Sequence, residues 1–136
     1  METARDTSNG NGAKVLVAED NDDQRELLCQ SLRLYGYRVL EARDGEEAVT
    51  QARESMPDAI IMDLAMPGIG GIEATRRLKA EERTSGIRIL ALTAHVALGF
   101  RVQAEAAGCD LYLTKPLLPS EIRRHLESVL RDPART

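Results

Sequence analysis

The chain is 136 residues long, 43% hydrophobic and 29% charged, with a net charge of −4. That length suits one domain around one core, and with 3% aromatics and no Trp the core has to be aliphatic. The acidic balance argues against a nucleic-acid partner or an anionic membrane surface, no apolar run is long enough to span a bilayer, and Met1 to Gly12 lacks the apolar segment of a signal peptide, so a cytoplasmic protein is expected.

Residues 1–13 are polar and predict a disordered tail, 14–131 a single folded domain, and 132–136 a short C-terminal tail. Val15 to Ala18 reads as the first strand. Asn21 is a plausible cap for a helix carrying Leu27, Leu28, Leu32 and Tyr35 at helical spacing, and Gly36 ends it. Arg38 to Leu40 is a short second strand, Asp44-Gly45 a turn, and Glu46 to Ser55 a second helix stopped by Pro57. Asp58 to Met62 is apolar without alternation, as in a strand covered on both faces. A loop over Pro67 to Gly71 leads to a helix from Ile72 to Glu82. Ile87 to Leu92 is the fourth strand, Ala97 to Ala107 a helix closed by Gly108, and Leu111 to Leu113 the fifth strand. A last helix starts at Pro119 and runs to about Arg131. This alternation predicts an α/β fold, a doubly wound parallel sheet of five strands with five helices on its two faces. Cys29 and Cys109 lack metal-ligand spacing and read as small buried thiols rather than a disulfide.

The apolar runs end in chemistry. The first runs into Glu19-Asp20, the third into Asp63, the fourth into Thr93, and the fifth through Thr114 to Lys115-Pro116. As parallel strands of one sheet they place all of these at the edge where such sheets bind ligands. Three carboxylates, a hydroxyl and an ammonium can together hold Mg²⁺ and carry a phosphoryl group. Singly each motif is weak: a lone Asp63 reads as a carboxylate capping the next loop, and Asp22 and Asp23 as acids offsetting a helix dipole. The joint spacing is more specific, with Thr93 following Asp63 by 30 residues and Lys115 following Thr93 by 22.

Over about Lys14 to Leu130, through the segments VLVAEDN, DAIIMDLAMPG, ILALTA and AAGCDLYLTKP, the chain resembles the receiver domain of two-component response regulators. The resemblance implies a flavodoxin-like receiver fold with strand order 2-1-3-4-5. It implies Asp63 as phosphoacceptor, with Glu19, Asp20, Asp63 and the Ala65 backbone carbonyl holding Mg²⁺. It assigns Lys115 to the charge of the transferring group, Thr93 to the switch hydroxyl, and a cis bond to Lys115-Pro116. Tyr112 matches the switch aromatic, and reads equally as a half-buried strand residue.

The implied function is signalling, not enzymatic output: phosphoryl transfer from a histidine kinase or histidine phosphotransfer protein switches the surface of the fourth helix, fifth strand and fifth helix. The implied recipients are a protein output partner or the modules of a hybrid kinase, with possible dimerisation on phosphorylation. The chain reads as either a stand-alone regulator or part of a larger protein. Ala65 departs from the longer or polar residue common in the family, and with His95, a loop residue at the rim, is expected to set the phosphoryl lifetime. Gly70 stands where the family often has Asp and is expected to loosen the loop, while Phe100 is open between core and partner contact. The alternatives are an unphosphorylated scaffold, an aspartyl-phosphate phosphohydrolase, whose usual second Asp is replaced by Ala65, and a nucleotide or flavin binder, for which no Gly-rich phosphate loop follows the first strand.

Overall fold

Strands β1 (Lys14–Ala18), β2 (Arg38–Ala42), β3 (Ala59–Met62), β4 (Arg88–Thr93) and β5 (Leu111–Thr114) form one parallel sheet in the order β2-β1-β3-β4-β5. The computed structural model describes residues 12–131. The expected tails therefore lie largely outside the described residues. At the N-terminal junction the folded unit reaches further back than expected, because Gly12 N–H donates to Gly36 O and Arg38 N–H to Ala13 O.

The strands are apolar without alternation because helices cover both faces. Leu16, Ile60, Met62 and Ile89 face helices α2 (Gly45–Ser55), α3 (Gly70–Ala80) and α4 (Leu98–Ala107), where Ala48, Val49, Ala74, Leu78 and Ala104 complete a core layer. Val15, Val17, Ile61, Leu90 and Leu92 face α1 (Asp22–Leu34) and α5 (Pro119–Arg131), against Leu28, Leu32, Ile122 and Leu126. Burial of each such side chain contributes roughly 1.5–3 kcal/mol. Cys29 lies in the second layer and Cys109 is half-buried against the first, so the sheet stands between the two free thiols. Among the described residues no helix is long and apolar enough to cross a membrane.

The starts of α2 and α3 differ from the sequence reading. Asp44 is not part of a turn but the cap of α2, its carboxylate accepting from Glu47 N–H at 2.8 Å. Helix α3 begins at Gly70 instead of Ile72 and ends at Ala80, where Glu81 leaves the helix and pairs with Arg53. Gly70 has φ of 77°, a left-handed conformation that strains most side chains but is tolerated by Asp and Asn. The backbone angle gives a reason for a glycine here besides the expected loosening.

Candidate functional site

The C-terminal edge of the sheet gathers the expected residues. Glu19-Asp20 leaves β1, Asp63 leaves β3, Thr93 ends β4 and Lys115 leaves β5. The turns are tied to the ladder: Glu19 N–H donates to Ala42 O, Asp63 N–H to Ala18 O at 3.0 Å, and Lys115 N–H to Thr93 O at 2.8 Å. The Lys115-Pro116 peptide is cis.

One carboxylate oxygen from each of Glu19, Asp20 and Asp63 falls within 4.8 Å of the others, with Glu19 and Asp63 buried and Asp20 exposed. A set of hard oxygen donors at this spacing, open on one side, fits Mg²⁺, which keeps several waters. Asp63 Oδ1 accepts from Ala65 N–H at 2.9 Å, leaving Oδ2 to Lys115 Nζ at 3.2 Å. Lys115 also donates to Glu19 Oε1 at 2.9 Å, and Glu19 Oε2 accepts from Asn21 N–H at 3.0 Å. Burial pushes the Glu19 carboxyl above its ordinary pKa, against the hydrogen bonds from Lys115 and Asn21. Burial pulls the Lys115 ammonium down, but hydrogen bonding to Glu19 and the charges of Asp63 and Glu19 outweigh it and leave its pKa raised.

The Thr93 side chain is fully buried, and its hydroxyl accepts from His95 N–H at 3.2 Å. Tyr112, half-buried on β5, donates its hydroxyl to His95 O at 2.9 Å. The main chain of His95 thus contacts both. The His95 ring meets Phe100 edge-on at 4.7 Å, and Phe100 packs partly into the core while Val96, Leu98 and Val102 remain exposed. Ala65 and His95 are both exposed at the rim.

Two residues escaped the sequence reading. Gln24 Oε1 accepts from Lys115 Nζ at 2.8 Å, shorter than the Lys115–Asp63 contact. Gly71 touches the backbone of Asp63 and Leu64: a Cβ there would collide with the Asp63 carbonyl oxygen and lie 2.7 Å from Leu64 Cα. The sequence signal for Gln24 was its place three residues after the Asn21 cap, on the turn above the carboxylates. For Gly71 it was the pair Gly70-Gly71 shortly after an acidic strand end.

An open parallel sheet with an acidic cleft, a buried hydroxyl and a lysine preceding a cis-proline defines a phosphoacceptor-type signalling domain. The chain belongs to the response regulator receiver domain family, whose model matches residues 15–127. It is 38% identical over 120 residues to the phosphate regulon transcriptional regulatory protein PhoB of Pseudomonas aeruginosa, covering 88% of this chain and 52% of that protein. The chain therefore spans about half the length of the PhoB relatives it matches. It is 33% identical to the polar-differentiation response regulator DivK of Brucella ovis, covering 87% of this chain and 96% of DivK. Among solved structures, the receiver domain of the sensor histidine kinase PA1611 of P. aeruginosa, with magnesium in its active-site cleft, superposes with a TM-score of 0.83 at 36% identity, over 89% of this chain and 99% of that one. The Vibrio cholerae chemotaxis protein CheY4 gives 0.82 at 30% identity, over 87% and 98%. Receiver domains are signalling domains that work with histidine kinases and output domains and bind Mg²⁺ at an acidic site.

Proposed function

We propose that this chain works in the cytoplasm, that Asp63 accepts a phosphoryl group from a histidine kinase or histidine phosphotransfer protein, and that the resulting aspartyl-phosphate switches the α4-β5-α5 surface for protein contacts. The observation that carries this is the geometry of Asp63: Oδ1 held by the Ala65 amide, and Oδ2 facing Lys115 and the open cleft. One carboxylate oxygen is oriented and the other is free to attack phosphorus in line. Glu19, Asp20, Asp63 and the Ala65 carbonyl would hold Mg²⁺, which when bound neutralises the clustered carboxylates and the donor's phosphoryl charge.

Lys115 stabilises negative charge spread over the equatorial oxygens of a loose transition state. The new group carries roughly −1.5 to −2 charges by analogy with other phosphoresidues. Thr93 then turns its hydroxyl from the His95 amide to a phosphoryl oxygen, and Tyr112 moves into the space it leaves. Because both contact the His95 main chain, the motion reaches α4, which begins at Leu98, through the loop that carries Val96. These exposed apolar residues and Val102 are the surface for an output protein or a second copy. Ala65 and His95, at the rim, set access of water to the phosphoryl group. Intact mass after incubation with acetyl phosphate tests the reading: one phosphoryl is gained with Mg²⁺, and none with chelator or in Asp63→Asn. A phosphorylated Asp63→Asn protein would sink it.

A further inference from the structure

Three acceptors surround the Lys115 ammonium: Gln24 Oε1 at 2.8 Å, Glu19 Oε1 at 2.9 Å and Asp63 Oδ2 at 3.2 Å. An ammonium has three protons, so this set uses all of them. The contact to the acceptor carboxylate is the longest. Two shorter contacts, to Glu19 and Gln24, therefore help fix the head of a flexible four-carbon stem. Glu19 is itself a candidate metal ligand, so its hold on Lys115 competes with its other task. Gln24 is neutral and brings no carboxylate, so its hold does not.

The position of Gln24 is fixed independently of its side chain. Its backbone N–H donates to the Asn21 side chain at the start of α1, which anchors its Cα on the turn above the cleft. Beside it opens a groove of about 320 Å³ lined by Leu28, Leu92, Leu117 and Ile122. These apolar side chains offer the ammonium no acceptor, and Glu19, which also lines the groove, already accepts one of its protons, so without the Gln24 carboxamide the third proton turns to water.

We propose that Gln24 is a positioning residue for phosphoryl transfer, its carboxamide oxygen holding the Lys115 ammonium so that one N–H stays aimed at Asp63 and the incoming phosphoryl oxygen. The proposal rests on Asp63 being the acceptor. In that step an Asp63 oxygen forms the new O–P bond, the donor's bond to phosphorus breaks, and its electron pair leaves with the donor group. Lys115 keeps its protons throughout and supplies only charge. A displaced charge stabilises the transition state less, and a charged hydrogen bond is strong enough for its loss to be felt.

The test compares Gln24→Met, which keeps length and loses the acceptor oxygen, with Gln24→Glu, which keeps an acceptor at the same reach. With acetyl phosphate and excess Mg²⁺, Gln24→Met is expected to be phosphorylated about three- to tenfold more slowly. Its melting temperature is expected to match wild type, since the Asn21 side chain accepts from the Gln24 backbone N–H, which the substitution keeps. Gln24→Glu should return to wild-type rate at about 0.5 M salt, where its added charge is screened. In metal-free protein, NMR should show the Lys115 ammonium protons exchanging faster with water in Gln24→Met than in wild type. A Gln24→Met rate equal to or above wild type, or a Gln24→Glu as slow as Gln24→Met at about 0.5 M salt, overturns the proposal alone. A wild-type chain that takes up no phosphoryl group overturns the Asp63 reading and this proposal with it.

Discussion

Gly71→Ala isolates the close approach that seats α3 against the backbone of Asp63 and Leu64. The substitution improves helix propensity, worth about 1 kcal/mol in an exposed helix interior. It also puts a methyl group in collision with the Asp63 carbonyl oxygen and 2.7 Å from Leu64 Cα. Carbon atoms in favourable contact sit at about 3.5 Å or beyond, so α3 has to retreat by about 1 Å. The opposing atoms are backbone, which has no rotamer to yield, and the Gly71 N–H to Leu64 O bond of 3.2 Å is stretched as well. Overpacking of this kind costs roughly 1–3 kcal/mol or more, enough to outweigh the propensity gain. A net loss of about 1–2 kcal/mol lowers the melting temperature of a domain this size by about 3–10 °C. Gly99→Ala is the control: it too lies in a helix, with nothing within 4 Å of the added methyl, and is expected to melt at or slightly above wild type. Thermal denaturation followed by circular dichroism reads both. A Gly71→Ala protein as stable as Gly99→Ala would refute the steric argument and the claim that this glycine shapes the acceptor site.

Lys115→Met leaves the Glu19 and Asp63 carboxylates without their shared counter-charge; it is expected to slow phosphorylation by acetyl phosphate about 10- to 100-fold while the fold survives, read by intact mass over time. Ala65→Asn and His95→Ala should each change the decay of the phosphoprotein by about threefold or more, in keeping with general-acid and water-access effects at a rim; unchanged decay in both would remove these residues from the account. Alkaline stability follows from the buried thiol: burial pushes Cys29 from 9.0 up to about 11, so between these values the folded chain keeps a proton that the unfolded chain has lost. Stability therefore falls as pH rises through that window, and Tyr37, pushed up to about 12 by burial and the nearby Glu127, extends the loss upward. Urea denaturation of Cys29→Ala should show a shallower fall between pH 9 and 11 than wild type, and an identical slope would contradict the assignment.

How much of this was legible in the sequence depends on the range of the interaction. The strands read plainly because both faces are covered, so Ala59 to Met62 and Ile89 to Leu92 are apolar throughout. The acidic, hydroxyl and lysine residues follow those strands directly, and parallel topology alone brings them together. The strand order came from the family resemblance, since no spacing in the chain dictates which strand pairs with which. Boundaries of α2 and α3 shifted because Asp44 and Gly70 act through cap geometry and a positive φ, which composition records only as turn-forming residues. The Gln24–Lys115 contact joins residues 91 apart in sequence, and no local period encodes it. The link from Tyr112 to Thr93 runs through the His95 main chain, which any residue type supplies. Gly71 was read as loop, because a tight backbone approach and a flexible turn call for the same residue.

The central claim is that Asp63 alone carries the phosphoryl group. Reduction of the phosphorylated protein with borohydride releases phosphate and turns the acyl phosphate into an alcohol, so peptide mapping then finds the phosphorylated Asp as homoserine. The account predicts a single modified position at Asp63, absent without phosphodonor. Modification at Glu19 or Asp20 instead would contradict it.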